Sequence, residues 1–254
     1  MQTAVDTKHH LIVAHEVTNE YGDRGQLFSM ALQAQAAREV EELDVVADRG
    51  YYKNTEILAC AESGISVTLP RPQTSNNKAA RLFDREDFKY VPEDDEYRCP
   101  AGERLGKRTT MLQNGMTLYR YWSMNCKHCD LKSKCTTGKE RRVSRWEHEE
   151  VLEAVQDRLD RHPEMMRIRR DTVEHPFGTL KRWMGSDHFL TRTFEHVSTE
   201  MSLHVLAYNL KRVMNIMGVE ALIGAIRAFF TIVCCIWAFR RQYPPPGGYP
   251  VPIN

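Results

Sequence analysis

LDVVADRGYYKNTEILACAESGISVTLP, residues 43–70, decides the fold class. Leu43 to Asp48 is a short apolar run closed by the Arg49-Gly50 turn, so it reads as a buried strand ending in an aspartate. A helix is expected over about 53–63, stopped by Gly64, a residue that closes a helix C-terminus at little steric cost. ISVTLP, residues 65–70, is a second buried strand, halted by Pro70.

Upstream, residues 2–18 read as a β-hairpin in which QTAVD and LIVAHEVT flank the polar Thr7-Lys8. Asp23 and Gly25 then precede QLFSMALQAQAAREVEEL, whose Leu27, Met30, Ala31, Ala34 and Ala37 fall at helical spacing. Hairpin, helix, strand, helix, strand implies an α/β fold, a mixed sheet flanked by helices.

Downstream the composition changes. Residues 71–145 are polar, have little periodicity and carry the clustered cysteines, so they read as an insertion. From Trp146 a helical pattern returns to about residue 217. Within it, HVSTEMSLHVLAYNLKRVMNI (196–216) sets Leu203, Leu206, Leu210 and Met214 on one side. FFTIVCCIWAF (229–239) falls well short of the ~20 apolar residues of a membrane span and reads as a buried helix end. The tail YPPPGGYPVPIN (243–254) is expected to be extended or disordered. The chain thus divides into 1–70, 71–145, 146–217 and 218–254.

A hydrophobic share of 42% with 27% charged residues fits a soluble globular protein. The formal net charge is +1, so contact with nucleic acid must come from local patches. Arg167, Arg169, Arg170, Lys181 and Arg182 crowd one stretch, and Lys139 to Arg145 form another; a solvated face is the plain alternative for either. The first residues lack a basic n-region followed by an apolar stretch, so no signal peptide is expected. Seven cysteines, an odd count, point to a reducing, cytoplasmic compartment.

Four residue groups can carry chemistry. Asp48 sits at a strand end, where open sheets place functional groups, although an Asp there also serves as a turn former. Arg170, Glu174 and Lys181 recur on one helical face, with Pro176 as a local break; the bland reading is a surface ladder of ion pairs. Cys99-Pro-Ala-Gly and Cys126-x2-Cys129-x5-Cys135 have thiolates enough for a tetrahedral Zn²⁺ site, against reduced cysteines with no metal. His9, His10 and His15 are expected across strands or exposed, His175 adjoins Glu174, and Cys60, Cys234 and Cys235 are most simply core.

VADRGYY around Asp48 and RIRRDTVEHPFGTLKRW around Glu174 resemble the second and third acidic motifs of DDE transposases from bacterial insertion sequences. The third motif of that family is Tyr-x2-Arg-x3-Glu-x6-Lys; Arg170, Glu174 and Lys181 match it, with Arg167 at the tyrosine position. TAVDTKHHLIVAHEVTN resembles the hairpin preceding the second Asp, followed by an Asp these proteins often carry, here Asp23.

The resemblance implies a ribonuclease H-like catalytic domain with a small cysteine-rich, zinc-ribbon-like insertion. It implies two Mg²⁺ (or Mn²⁺) ions, with Asp48 and Glu174 as metal ligands. Arg170 would orient Glu174, and Lys181 would contact the DNA backbone. The implied partners are the terminal inverted repeats of an element, its target DNA and a second copy of the chain. No membrane is expected. The first catalytic Asp of the family lies upstream of the opening hairpin, so the chain is expected to be N-terminally truncated. Asp6 belongs to the hairpin and is not that residue. The alternative is an inactive DNA-binding remnant with a structural zinc module.

Overall fold

The computed structural model describes residues 1–73, 75–183 and 188–242; the Pro/Gly tail lies outside them. The chain opens with the strands β1 (Gln2–Val5) and β2 (Ile12–Glu16), then α1 (Leu27–Arg38), β3 (Leu43–Val46), α2 (Asn54–Glu62) and β4 (Ile65–Thr68). Strands β5 (Lys89–Val91), β6 (Glu96–Arg98), β7 (Arg104–Gln113) and β8 (Met116–Trp122) follow. Helix α3 (Lys132–Cys135) precedes β9 (Val143–Trp146), and the helices α4 (Glu149–Arg161), α5 (Met165–Gly178), α6 (Phe194–Met217) and α7 (Val219–Gln242) complete the order.

The architecture is mixed α/β, but the expected single mixed sheet is not formed. β1 and β2 pair antiparallel, β3 and β4 pair parallel, and β5 to β9 make a five-stranded antiparallel meander. Among the described residues no strand bridges the first two pairs, and without one a sheet cannot continue. The chain divides into two compact units, Glu20–Arg169 and Met1–Asn19 with Arg170–Asn254.

In the unit Glu20–Arg169, α1 and α2 cover β3 and β4 through Leu27, Ala31, Ile57, Cys60, Ile65, Val67 and Leu69, with Trp146, Leu152 and Val155 joining them. Each such buried aliphatic side chain stabilises by roughly 1.5–3 kcal/mol. Gly64 ends α2 at φ +74, and a Cβ there would lie 2.8 Å from the Glu41 carbonyl, so both backbone and space demand glycine. The Arg158 guanidinium on α4 donates twice to the Val67 carbonyl, at 2.8 and 3.2 Å.

A second core, Phe88, Tyr97, Leu105, Tyr121 and Val143, lies in the five-stranded sheet. The basic run Lys139 to Arg145 serves this core. Arg141 lies over Phe88, Arg142 over Trp122, and Arg145, 7% exposed, lies over Tyr90 and pairs with Glu153. Such cation–π contacts bind the guanidinium to the ring quadrupole, so this run is structural rather than a free basic patch.

In the other unit, α6 is stitched to the hairpin by side chains. The Asn209 amide donates to the Ile12 carbonyl (2.8 Å) and accepts from its N–H (3.0 Å), imitating a neighbouring strand. Buried Met201, Val205 and Tyr208 face inward, whereas the expected stripe Leu203, Leu206 and Leu210 is exposed. The apolar end of α7 is also exposed at Phe229, Phe230, Ile232, Val233, Cys234 and Cys235, which corrects the expectation of a buried helix end and of core cysteines there. Among the described residues no single helix is long and apolar enough to cross a membrane.

Glu200 on α6 organises the segment before it. It accepts from the Leu190 N–H (2.9 Å), the Thr191 N–H (2.9 Å) and the Thr191 hydroxyl (2.6 Å). The Leu190 N–H leads in holding its carboxyl down at about 2, from 4.5. A depressed carboxylate stabilises fully above its unfolded pKa and loses that contribution as pH falls toward the folded one. Amide-exchange protection at Leu190 and Thr191 is therefore expected to hold above about pH 4.5 and to decline toward pH 2. Protection that stays constant down to pH 2 would refute this anchoring role.

Candidate active site

Asp48 is positioned by the end of β3. The ladder to β4 extends one residue further through the Ala47 N–H, which donates to the Thr68 carbonyl, and the chain then turns into a single 3-10 turn, Arg49–Tyr51. Asp48 Oδ1 accepts from the Gly50 N–H at 2.7 Å, and Oδ2 accepts from Arg169 Nη2 at 2.7 Å. A Cβ on Gly50 would stand 2.9 Å from Asp48 Oδ1 and 3.4 Å from Asp23 Oδ2. The Asp-x-Gly spacing thus has a physical reason: only glycine leaves room for the carboxylate to fold back onto the turn.

Asp23 therefore brings a second carboxylate to this turn. Burial first, then Asp23 and Asp48, push the neighbouring Tyr51 phenol up to about 12 against the opposing pull of Arg169. The Asp48 side chain stays 43% exposed, so its oxygens remain open to water and to cations.

Arg169 was not singled out from Arg170 by the sequence pattern. Adjacent helical residues point about 100° apart, and only the tertiary fold reveals which one reaches Asp48. Arg170 lies instead 3.9 Å from Asp171, both exposed, and makes no ion pair with Glu174 among the described residues. Its expected role in orienting Glu174 is not seen here.

Glu174 projects from α5, exposed and, among the described residues, without an ion pair or hydrogen bond. Pro176 is accommodated inside the helix, after which Thr179–Trp183 winds as a π-helix. Seven residues of α-helix make about two turns, so Glu174 and Lys181 would share a face; the wider π winding moves Lys181 out of that phase. Arg167, Arg170, Lys181 and Arg182 are all exposed.

The residue after Glu174 has a structural task. Tyr208 donates its hydroxyl hydrogen to the His10 carbonyl (2.7 Å), so His175 Nδ1, 3.0 Å from the same oxygen, must be the donor in that bond. The His175 ring stacks on His10, with centroids 4.9 Å apart. Burial first, then Arg212 and His10, lower its pKa. The other opening histidines are also structural: His9 donates its N–H to Asp6, and His15 meets Ser202.

A cavity of about 690 Å³ lies between Asp44, Ser66 and Arg158, at the N-terminal ends of β3 and β4 and so away from Asp48. It belongs to the opposite end of the strands and plays no part in the acidic turn. Cys99, Cys126, Cys129 and Cys135 are free thiols lining one small cavity, although no group of three or more histidine, cysteine or carboxylate side chains among the described residues is already drawn together to hold a metal ion.

No curated protein and no solved structure matches the chain. Residues 98–214, from the end of β6 through most of α6, match the family model of a transposase DDE domain. The matched segment contains Arg170, Glu174 and Lys181, while Asp48 precedes it. Over this segment, whose acidic and basic residues the sequence pattern had marked, the chain is similar to the transposase DDE domain.

Proposed function

We propose that the chain acts on DNA as the catalytic part of an insertion-sequence transposase with a ribonuclease H-like ancestry, cutting phosphodiester bonds at the ends of its element and joining them to a target. The observation that carries this reading is an exposed Glu174, without an ion pair or hydrogen bond among the described residues, on a helix that also exposes Arg167 and Arg170, inside the segment that matches the transposase domain.

The oxygens available suit Mg²⁺ or Mn²⁺: hard carboxylates, open to water. Asp48 and Glu174 are the residues that would hold the ions, which when bound activate the attacking hydroxyl and offset charge on the phosphate. The chain's own groups do the rest. The Gly50 N–H holds the Asp48 carboxylate in one orientation. Arg169 pairs with it and offsets its charge. Arg167, Arg170 and Lys181, all exposed, would take backbone phosphates, which fix DNA without reading its sequence. Two element ends would be joined by two copies of the chain, in the cytoplasm and on the chromosome.

A second reading, DNA binding without cleavage, rests on the same basic face, which needs no metal to hold phosphate. The test uses the purified chain with a supercoiled plasmid carrying the DNA that flanks its gene. Nicking or joining with Mg²⁺ or Mn²⁺, abolished by EDTA, supports the catalytic reading. A salt-sensitive mobility shift without any nicking overturns it in favour of binding alone. Neither nicking nor a shift overturns both.

A further inference from the structure

Cys99, Cys126, Cys129 and Cys135 come from three separate pieces of backbone and line one cavity of about 30 Å³, with Phe88 and Leu105 among its apolar walls. Each piece is shaped locally. Cys99 begins a tight turn between β6 and β7, closed by the Gly102 N–H donating to the Cys99 carbonyl (2.8 Å) and the Cys99 N–H to the Glu103 carbonyl (3.0 Å). Cys126 lies in the 3-10 turn Met124–His128, whose start is held by the Ser123 hydroxyl, and Cys129 directly follows it. Cys135 ends α3, whose Lys132 N–H donates back to the Cys129 carbonyl (3.1 Å). His128, between the paired cysteines, is not among the cavity's lining side chains.

The four thiols are half-buried and free of disulfides. Four sulfurs around one half-buried space form a donor set that a divalent cation would draw together. The cavity is small, which suits a single ion rather than a cluster. Soft sulfur donors from short loops select Zn²⁺ in a closed tetrahedral site.

We propose that Cys99, Cys126, Cys129 and Cys135 bind one structural Zn²⁺, which fastens the β6–β7 turn to the excursion between β8 and β9. The ion sits beside the core of Phe88, Tyr97, Leu105, Tyr121 and Val143, against which Cys99 and Cys135 already pack. It fixes the path of the chain into β9, and thus of Trp146, into the main core. The site is independent of the acidic residues and stands whether or not the chain cleaves DNA.

The test measures metal in the full chain purified under reducing conditions. About one zinc per chain by elemental analysis is expected. It should be released by a mercurial reagent together with four newly reactive thiols, and replaceable by Co²⁺ with a sulfur-to-cobalt charge-transfer band. Cys126→Ser with Cys129→Ser should lose the zinc, and Cys234→Ser with Cys235→Ser should keep it. Should the first double variant fail to fold, the wild-type metal content, thiol count and cobalt spectrum decide alone. Wild-type protein that holds no zinc after dialysis against it, that holds iron instead, or whose cysteines form disulfides overturns the proposal.

Discussion

Glu149→Ala is expected to destabilise the unit Glu20–Arg169 by about 3 kcal/mol, more than any other single removal of a charge. Glu149 is 2% exposed at the start of α4. Its Oε1 takes Arg71 Nη1 at 3.0 Å and Arg85 Nη2 at 2.7 Å, while Oε2 accepts from the Trp146 N–H at 3.1 Å. One carboxylate thus ties the segment before β5, the end of β9 and the first turn of α4. Its loss leaves two guanidiniums without their anion and a buried N–H without an acceptor. Breaking a buried pair costs about 3–5 kcal/mol, and the low end applies because the two arginines, 39% and 35% exposed, can rehydrate. Glu149→Gln, which keeps an acceptor for Trp146 but no charge, should fall between. Arg104→Ala, which removes only solvent-exposed pairs with Asp94 and Glu96, should cost far less. Urea unfolding of the three variants checks the order. A Glu149→Ala loss no larger than that of Arg104→Ala would show that the carboxylate is dispensable.

Glu149 also marks where sequence reading stops. Strand, helix and strand over 43–70 were legible because they rest on local signals: a valine run, a glycine stop and a proline stop. They appear as β3, α2 and β4 within a residue or two. Asp48 was legible for the same reason, as a carboxylate at a strand end. Nothing local says that Glu149 rather than Glu150 is buried, or that Arg169 rather than Arg170 reaches Asp48, since each choice is one helical step settled by a distant partner. The apolar stripe of α6 was misjudged for a related reason. Hydrophobicity favours Leu203, Leu206 and Leu210, but the hairpin meets α6 through Tyr208 and Asn209, hydrogen-bonding residues that an apolar count ignores. Residues 71–145 showed little periodicity because they form short strands, and β7, the longest, is exposed at most positions. Their charges follow aromatic rings rather than a repeat. The cysteines, by contrast, were legible as a group, because a pair with two residues between them remains visible in any fold.

Asp48→Asn and Glu174→Gln are each expected to lower metal-dependent DNA cleavage by about 10³-fold, on the order of 4 kcal/mol of transition-state stabilisation. Folding should be nearly unaffected, and the structure says why. Asparagine at 48 still offers Oδ1 to the Gly50 N–H, and the Arg169 side chain, 25% exposed, regains water when its ion pair is lost. Glu174, among the described residues, has no partner to lose. DNA affinity provides the discriminating sign. Removing a carboxylate from a face that meets phosphate weakens repulsion, so binding should hold steady or tighten while cleavage falls. Lys181→Ala should do the opposite, weakening binding and reducing the steepness of its salt dependence by about one counterion. Cleavage and binding that fall together in Glu174→Gln would mean that the residue supports the helix rather than the chemistry. Cleavage unchanged in either carboxylate variant would remove Asp48 and Glu174 from the active site altogether, leaving the basic face of α5 as the only part of the proposal with a function.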